Sequence, residues 1–194
     1  MRKGKFVVIE GVDCVGKSSI IKAALRKLDD RNIVGNLGFR RDTLWGRAIN
    51  RHPKSIQYYV DFALKTRFQI KPLLDEGAIV LQDRYVQTVD TYAPDCKWRH
   101  NQVARRVLSG LFLNPDLYVQ ITCDAEEMLR RLRESDDQES YHKSLVKNPQ
   151  IVYDRLARYK EVYEGINCEK RVLDTTNKSA KESAKELIEM IEEV

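Results

Sequence analysis

The segment Gly11-Val12-Asp13-Cys14-Val15-Gly16-Lys17-Ser18 constrains this chain more than any other. It fits G-x-x-x-x-G-K-[ST], and its flanks are the ones that pattern needs. Lys5–Glu10 reads as a strand, and the residues from Ser19 to Leu28 read as a helix. A strand, a glycine-bearing loop and a helix N-terminus together form an anion cradle. The glycines let the backbone curl so that its N–H groups point inward, and the helix end adds partial positive charge. Lys17 then reaches the outer phosphates of a nucleotide, and the Ser18 hydroxyl joins the shell of a magnesium ion. The expected cradle comprises Gly11, Val12, Asp13, Cys14, Val15, Gly16, Lys17, Ser18 and Ser19. The plainer alternative is a glycine-rich turn between a strand and a helix.

The rest of the chain repeats the alternation. Short apolar runs predict strands at 5–10, 32–37, 78–82, 116–121 and 170–173. Helical patterns predict helices at 17–29, 43–50, 55–75, 97–113, 125–134, 149–164 and 179–193. Continuous apolar runs such as Ala78-Ile79-Val80-Leu81 are what parallel strands buried on both faces look like. The expected fold is therefore α/β, a P-loop NTPase fold: a five-stranded parallel sheet with helices on both faces and a short lid segment. With no repeat and no linker, residues 1–194 are expected to form a single domain. Asn177 or Ser179 is expected to cap the last helix.

Of the 194 residues, 42% are hydrophobic and 32% charged, a balance suited to one packed core with a solvated surface. No run of 18 apolar residues suggests a membrane span. The start of the chain runs straight into the first strand, so no leader is expected. Cys14, Cys96, Cys123 and Cys168 are too far apart in sequence for a C-x-x-C redox pair or a zinc ribbon, and a reducing cytoplasm fits them. The net charge of +5, from 34 basic and 29 acidic side chains, suits an anionic ligand. No basic run or aromatic–basic stripe argues for nucleic acid as a partner. His52, His100 and His142 show no spacing that suggests a metal site or a triad.

Other candidates belong beyond the carboxyl ends of strands, where open α/β sheets bind ligands. In Gln82-Asp83-Arg84-Tyr85, Asp83 would hold the magnesium shell or polarise an acceptor, and Arg84 would clamp a phosphate with two N–H donors. The alternative is a surface ion pair. Asp13, a carboxylate among phosphate-seeking amides, reads as facing the acceptor side, or as an Asx-turn residue. Arg40 and Arg41 follow the second strand at the same edge and are candidates for the acceptor phosphate. On the 55–75 helix, Phe62 would stack on a base or lie in the core, with a nearby cation such as Arg67 at the base edge. The polar stretch at 134–147 follows a helix bearing Arg130, Arg131 and Arg133, where a lid over the reacting phosphates would lie.

These residues, taken in order, resemble the thymidylate kinase family of P-loop nucleoside monophosphate kinases. The resemblance rests on Val8-Ile9-Glu10-Gly11-Val12-Asp13 before Gly16-Lys17-Ser18, and on Lys71-Pro72-Leu73-Leu74. It continues through Asp83-Arg84-Tyr85 with Thr88 and Tyr92, Pro115-Asp116-Leu117, Arg158-Tyr159 and Val172-Leu173-Asp174. It implies transfer of the γ-phosphoryl of ATP to a nucleoside monophosphate, typically dTMP giving dTDP, with Mg2+. In that scheme Lys17 stabilises the phosphates, Ser18 ligates the metal and Asp13 orients the acceptor phosphate. Arg84, with Arg40 or Arg41, holds the acceptor phosphate. Asp83 and Tyr92 line the acceptor site, and lid arginines, Arg130 and Arg133 among them, neutralise transition-state charge. Many relatives are homodimers.

The chain also departs from the family pattern. Gly38-Phe39-Arg40-Arg41-Asp42-Thr43 replaces a T-R-E-P-G-G-like segment, and Asp136-Asp137-Gln138-Glu139 puts acid where the lid usually has a base. The loop carries no arginine of its own, so catalytic charge is expected from Arg130, Arg131, Arg133 or Lys143. The family's base-reading arginine falls near Phe62 when the chain is aligned on Lys71-Pro72. The rival expectations are a P-loop kinase for another nucleotide, nucleoside or small phosphorylated acceptor, a nucleotide-binding protein that has lost catalysis, and a nucleic-acid-associated NTPase.

Overall fold

The computed structural model describes residues 4–28, 32–36, 55–92, 99–134 and 140–194. Their order is β1 (Lys5–Glu10), α1 (Lys17–Lys27), β2 (Ile33–Asn36), α2 (Ser55–Lys65), a π turn (Thr66–Ile70), α3 (Lys71–Asp75), β3 (Ile79–Asp83) and α4 (Val86–Tyr92). There follow α5 (Arg99–Leu108), a 3-10 turn (Ser109–Leu111), β4 (Leu117–Thr122), α6 (Ala125–Glu134), α7 (Ser140–Lys147), α8 (Gln150–Glu164), β5 (Lys170–Asp174) and α9 (Ala180–Glu192).

The five strands form one parallel sheet in the order β2-β3-β1-β4-β5. The central strand explains the layering. In β1, Phe6 and Val8 point to one face and Val7 and Ile9 to the other, and all four are buried. Each such side chain contributes about 1.5–3 kcal/mol when taken out of water. On one face Val7, Ile9, Leu81, Val119 and Ile121 pack against α1, α6, α7, α8 and α9. On the other, Phe6, Val8, Val80 and Tyr118 pack against Tyr59, Phe62, Ile70 and Leu74 of the α2–α3 run, and against Tyr85, Val86 and Val89. Sandwiching the sheet leaves its strand ends as the places where polar groups gather.

The expected helix at 55–75 is one run with a wide π turn at Thr66–Ile70. Pro72 stands at the start of α3. It has no N–H to donate and crowds the carbonyl of the turn before it, which breaks the regular ladder there. The turn brings the Thr66 hydroxyl to within 2.7 Å of Tyr85 Oη. The helix expected at 97–113 ends at Leu108 and tightens into the 3-10 turn. The expected helix at 43–50 lies outside the described residues. Residues 140–147 of the polar stretch form α7, with Leu145 buried beside α6 and α8, so apolar anchoring there overrides the polar composition. Ser179, rather than Asn177, caps α9. Its side chain accepts from Glu182 N at 3.3 Å while Glu182 Oε2 accepts from Ser179 N at 2.8 Å.

Candidate active site

The carboxyl ends of β1, β3 and β4 and the segment after β5 converge on the loop at residues 11–16. Gly11 has φ 155°, and a Cβ there would lie 2.4 Å from the Ile121 carbonyl oxygen of the neighbouring strand. Gly16 has φ 90° and heads α1. Cys14 takes φ 65°, a cost tolerated where a loop is held from both sides. Arg131 Nη1 reaches the Val15 carbonyl at 3.3 Å, and the Thr175 hydroxyl donates to the same oxygen at 3.1 Å. The loop is thus tied to α6 and to the end of β5.

Lys17 is buried at the first position of α1, with Nζ 3.8 Å from Asp83 Oδ1. Burial, then the Arg84 charge, pulls its pKa below the usual lysine value, while Asp83, Asp13 and Glu10 work the other way. Asp83 Oδ1 is buried and accepts no hydrogen bond. Ser18 and Ser19 are exposed on the first turn of α1. A hydroxyl and a carboxylate oxygen that accepts no hydrogen bond are oxygen donors of the kind a hard divalent cation takes.

Arg84 also sits in the left-handed region, at φ 63°. Its N–H donates to the Ile9 carbonyl at 3.0 Å, and the Gln82 amide donates to the carbonyls of Asp83 (3.0 Å) and Arg84 (2.7 Å). These bonds hold the strained turn. One Arg84 nitrogen is bonded to Asp13 Oδ1, the other donates to the Tyr159 hydroxyl at 3.1 Å, and the guanidinium lies over the Tyr92 ring, 5.1 Å from its centroid. Tyr92 Oη donates to Asp13 Oδ2 at 2.8 Å.

Beneath this pair lies Glu10, wholly buried at the last position of β1. Oε1 accepts from Tyr85 N at 2.7 Å, and both carboxylate oxygens lie within 2.8 Å of the Thr88 hydroxyl. Tyr159 Oη donates to Oε2 at 3.3 Å. Burial pushes the Glu10 pKa up, and Arg84 and the Tyr85 and Thr88 hydrogen bonds offset part of the rise. Glu10 thereby fixes the backbone on the far side of Arg84. Its place as an acid ending an apolar strand was a readable signal of this role.

On the other side of the loop a cleft of about 460 Å³ is lined by Val15, Gly16 and Ser19, by Arg130 and Arg131 of α6, and by Thr175–Lys178. Arg131 also donates to Thr175 O at 2.7 Å and to Glu127 Oε1 at 2.7 Å. Arg130 is held at its surface by Glu127 and Glu134, at 2.7 and 2.6 Å.

The structure brings together the expected Gly11–Ser19 loop, Asp83, Arg84, Asp13 and Tyr92. Arg40 and Arg41 lie outside the described residues, as do residues 135–139 of the lid. Two expectations are corrected. Phe62 does not offer its ring for stacking: it is wholly buried, edge-on to Tyr85 with centroids 5.5 Å apart. Arg67 turns to solvent over Phe68, whereas the buried cation of that helix is Lys65, 3.6 Å from Asp61. A helix buries only one stripe, and Arg67 falls off it. Of the α6 arginines, Arg133 is exposed and Arg131, not Arg130, grips the loop. Thr175 and Arg155 carried no sequence signal, because their partners are distant in the chain.

A parallel sheet with a glycine loop at its centre, a buried lysine beside it and a carboxylate–guanidinium pair on its flank defines a P-loop phosphotransferase. The thymidylate kinase family model matches residues 9–188, and the chain belongs to that family. It is 26% identical over 144 residues to a probable thymidylate kinase of Pyrobaculum aerophilum, covering 70% of this chain and 73% of that one. It is 26% identical over 205 residues to one of Methanococcoides burtonii, covering 97% and 96%. The fold is similar to that of the Candida albicans thymidylate kinase, a protein described as having broad substrate specificity (TM-score 0.72, 21% identity, 100% of this chain and 93% of that one). It is also similar to the Ehrlichia chaffeensis thymidylate kinase (TM-score 0.65, 15% identity, 97% and 98%).

Proposed function

We propose that this protein transfers the γ-phosphoryl group of ATP to a nucleoside monophosphate, with dTMP as the preferred acceptor and dTDP as the product. The observation that carries this reading is the two-sided arrangement around one loop. Gly16 and the Arg131–Thr175 cleft lie on one side, the Asp13–Arg84–Tyr92 cluster on the other, and Lys17 stands beside Asp83 at the head of α1.

An oxygen of the acceptor phosphate attacks the γ-phosphorus, the bond from that phosphorus to the bridging oxygen breaks, and ADP leaves with the electron pair. Little covalent work falls to the protein, so positioning and charge stabilisation dominate. Lys17 holds the transferring group, and Arg84 receives the acceptor phosphate as its bond to Asp13 gives way. Asp13, held by Tyr92, orients the acceptor phosphate, with Arg40 or Arg41 completing the phosphate clamp. Positive charge over the donor comes from Arg130, Arg131 or Arg133 of α6, or from Lys143 of α7. Ser18 and Asp83 would hold Mg2+, which when bound supplies charge neutralisation at the phosphates.

The proposal also takes the chain as one domain, cytoplasmic, and a homodimer. No helix among the described residues is long and apolar enough to cross a membrane. Leu64, Phe68, Val103 and Val107 are exposed on α2, the π turn and α5, and α2 packs beside α5, a pattern that supports a partner surface.

A different nucleoside monophosphate is the second reading. It is favoured by the burial of Phe62 at the position where the family's base-reading arginine aligns. A coupled assay with ATP and Mg2+ across dTMP, dUMP, dCMP, dAMP, dGMP and UMP tests both. The highest kcat/KM on dTMP supports the first reading, and a different leading acceptor supports the second. No turnover of any of them, with ATP still bound, overturns the kinase reading in favour of a nucleotide-binding role.

A further inference from the structure

The helix that follows the lid also reaches the acceptor side of the site. Arg155, on α8, donates from Nη1 to the Thr91 carbonyl at 2.8 Å, and its guanidinium lies over the Tyr92 ring, 4.6 Å from the centroid. Arg84 lies over the same ring at 5.1 Å. Tyr92 therefore carries two guanidinium groups, while its hydroxyl donates to Asp13 and its edge meets Tyr159 at 6.0 Å between centroids. The bond to Thr91 O ties the same guanidinium to the last turn of α4, so Arg155 fixes both the backbone beside Tyr92 and the ring itself.

We infer that Arg155 is a positioning residue for the acceptor: it sets the Tyr92 ring, and through the Tyr92 hydroxyl it sets Asp13 and Arg84. Only Asn148 and Pro149 separate α7 from α8, so Arg155 stands on the helix that directly follows α7. Arg155 does not itself touch the reacting atoms in this account. The inference rests on the acceptor lying at the Asp13–Arg84–Tyr92 cluster.

The test is a cycle of R155A, Y92F and the double variant in the acceptor assay, with R155Q as a second probe that keeps an N–H donor for Thr91 O. Thermal unfolding is followed in parallel. R155A is expected to raise the acceptor KM about tenfold while the ATP KM moves less than twofold, and R155Q is expected to recover part of the loss. Y92F leaves the ring for Arg155 to cover but removes the bond to Asp13, so the double variant should be no worse than Y92F alone. An unchanged acceptor KM in R155A, or full additivity in the double variant, overturns the inference. So does an acceptor effect that tracks the drop in unfolding midpoint across R155A and R155Q. If R155A does not fold, R155Q carries the same cycle. Wild-type turnover with an unaffected R155A defeats this inference alone, whereas absent wild-type turnover defeats the kinase reading beneath it.

Discussion

The ammonium of Lys17 lies 3.8 Å from Oδ1 of Asp83, joining the start of α1 to the carboxyl end of β3. Both groups are buried, and the partner of each is supplied by a different strand–turn unit. A nucleotide's phosphates would meet a cation already oriented by the protein, which is what lowers reorganisation cost during phosphoryl transfer.

Replacing Lys17 with Ala removes the cation at the head of α1 and leaves Asp83 without its ion partner. Steady-state kinetics should show kcat lower by about 10²-fold or more, by analogy with the loss of a preorganised charge-stabilising donor. A K17A rate within a few-fold of wild type would contradict the assignment of this loop to the donor phosphates.

Arg131 and Arg130 are neighbours with opposite expected behaviour. R131A removes bonds to Val15 O, Thr175 Oγ1 and Thr175 O, so it should cost roughly 2 kcal/mol of stability and weaken ATP binding measured by calorimetry. R130A breaks only exposed i,i+3 and i,i+4 pairs and should leave the unfolding midpoint close to that of the wild type. Equal losses would mean that the loop does not depend on Arg131.

Gly11 tolerates no side chain. In G11A the added Cβ would begin 2.4 Å from the Ile121 carbonyl oxygen, so β1 or β4 must move. Urea unfolding should show destabilisation of roughly 3 kcal/mol, with activity falling alongside because Val15 and Gly16 move too.

Glu10 predicts a pH signature. Burial raises its folded-state pKa above the usual glutamate value of 4.5, so the folded chain holds the proton more tightly than the unfolded chain. The stability it contributes through protonation is full below that unfolded value and is lost as pH rises through the raised folded value. Glu10→Gln cannot titrate. The difference in unfolding midpoint, wild type minus E10Q, should therefore shrink as pH is raised from about 4 upward. A difference that stays constant or widens with pH would show that burial does not govern this carboxyl.

Much of the fold was legible because its signals are local. Strand runs, helix periodicity and the Ser179–Glu182 capping box each depend on residues a few positions apart, and the five strands fall within a residue or two of their expected places. The Gly11–Ser18 loop was readable for the same reason: glycines, a lysine and a serine at fixed offsets have few other uses. Asp83 and Arg84 were readable as residues ending a buried strand, which puts them at the sheet edge.

The remainder depends on distances that no spacing encodes. That Phe62 is core and Arg67 solvent-facing follows from which stripe of α2 and its π turn meets Tyr85. That Arg131 rather than Arg130 grips the loop follows from how α6 lies beside Val15 and Thr175. Sequence alone determined a strand, a glycine-bearing loop and a helix on a parallel sheet, because backbone curvature and strand burial are set by neighbouring residues. Only the tertiary structure decided how Asp13, Arg84, Tyr92, Tyr159, Arg155 and Glu10 form one network. The bond between Asp13 and Arg84 joins residues 71 positions apart and that between Glu10 and Tyr159 residues 149 apart, and hydrogen-bond geometry over such separations exists only once the sheet has assembled.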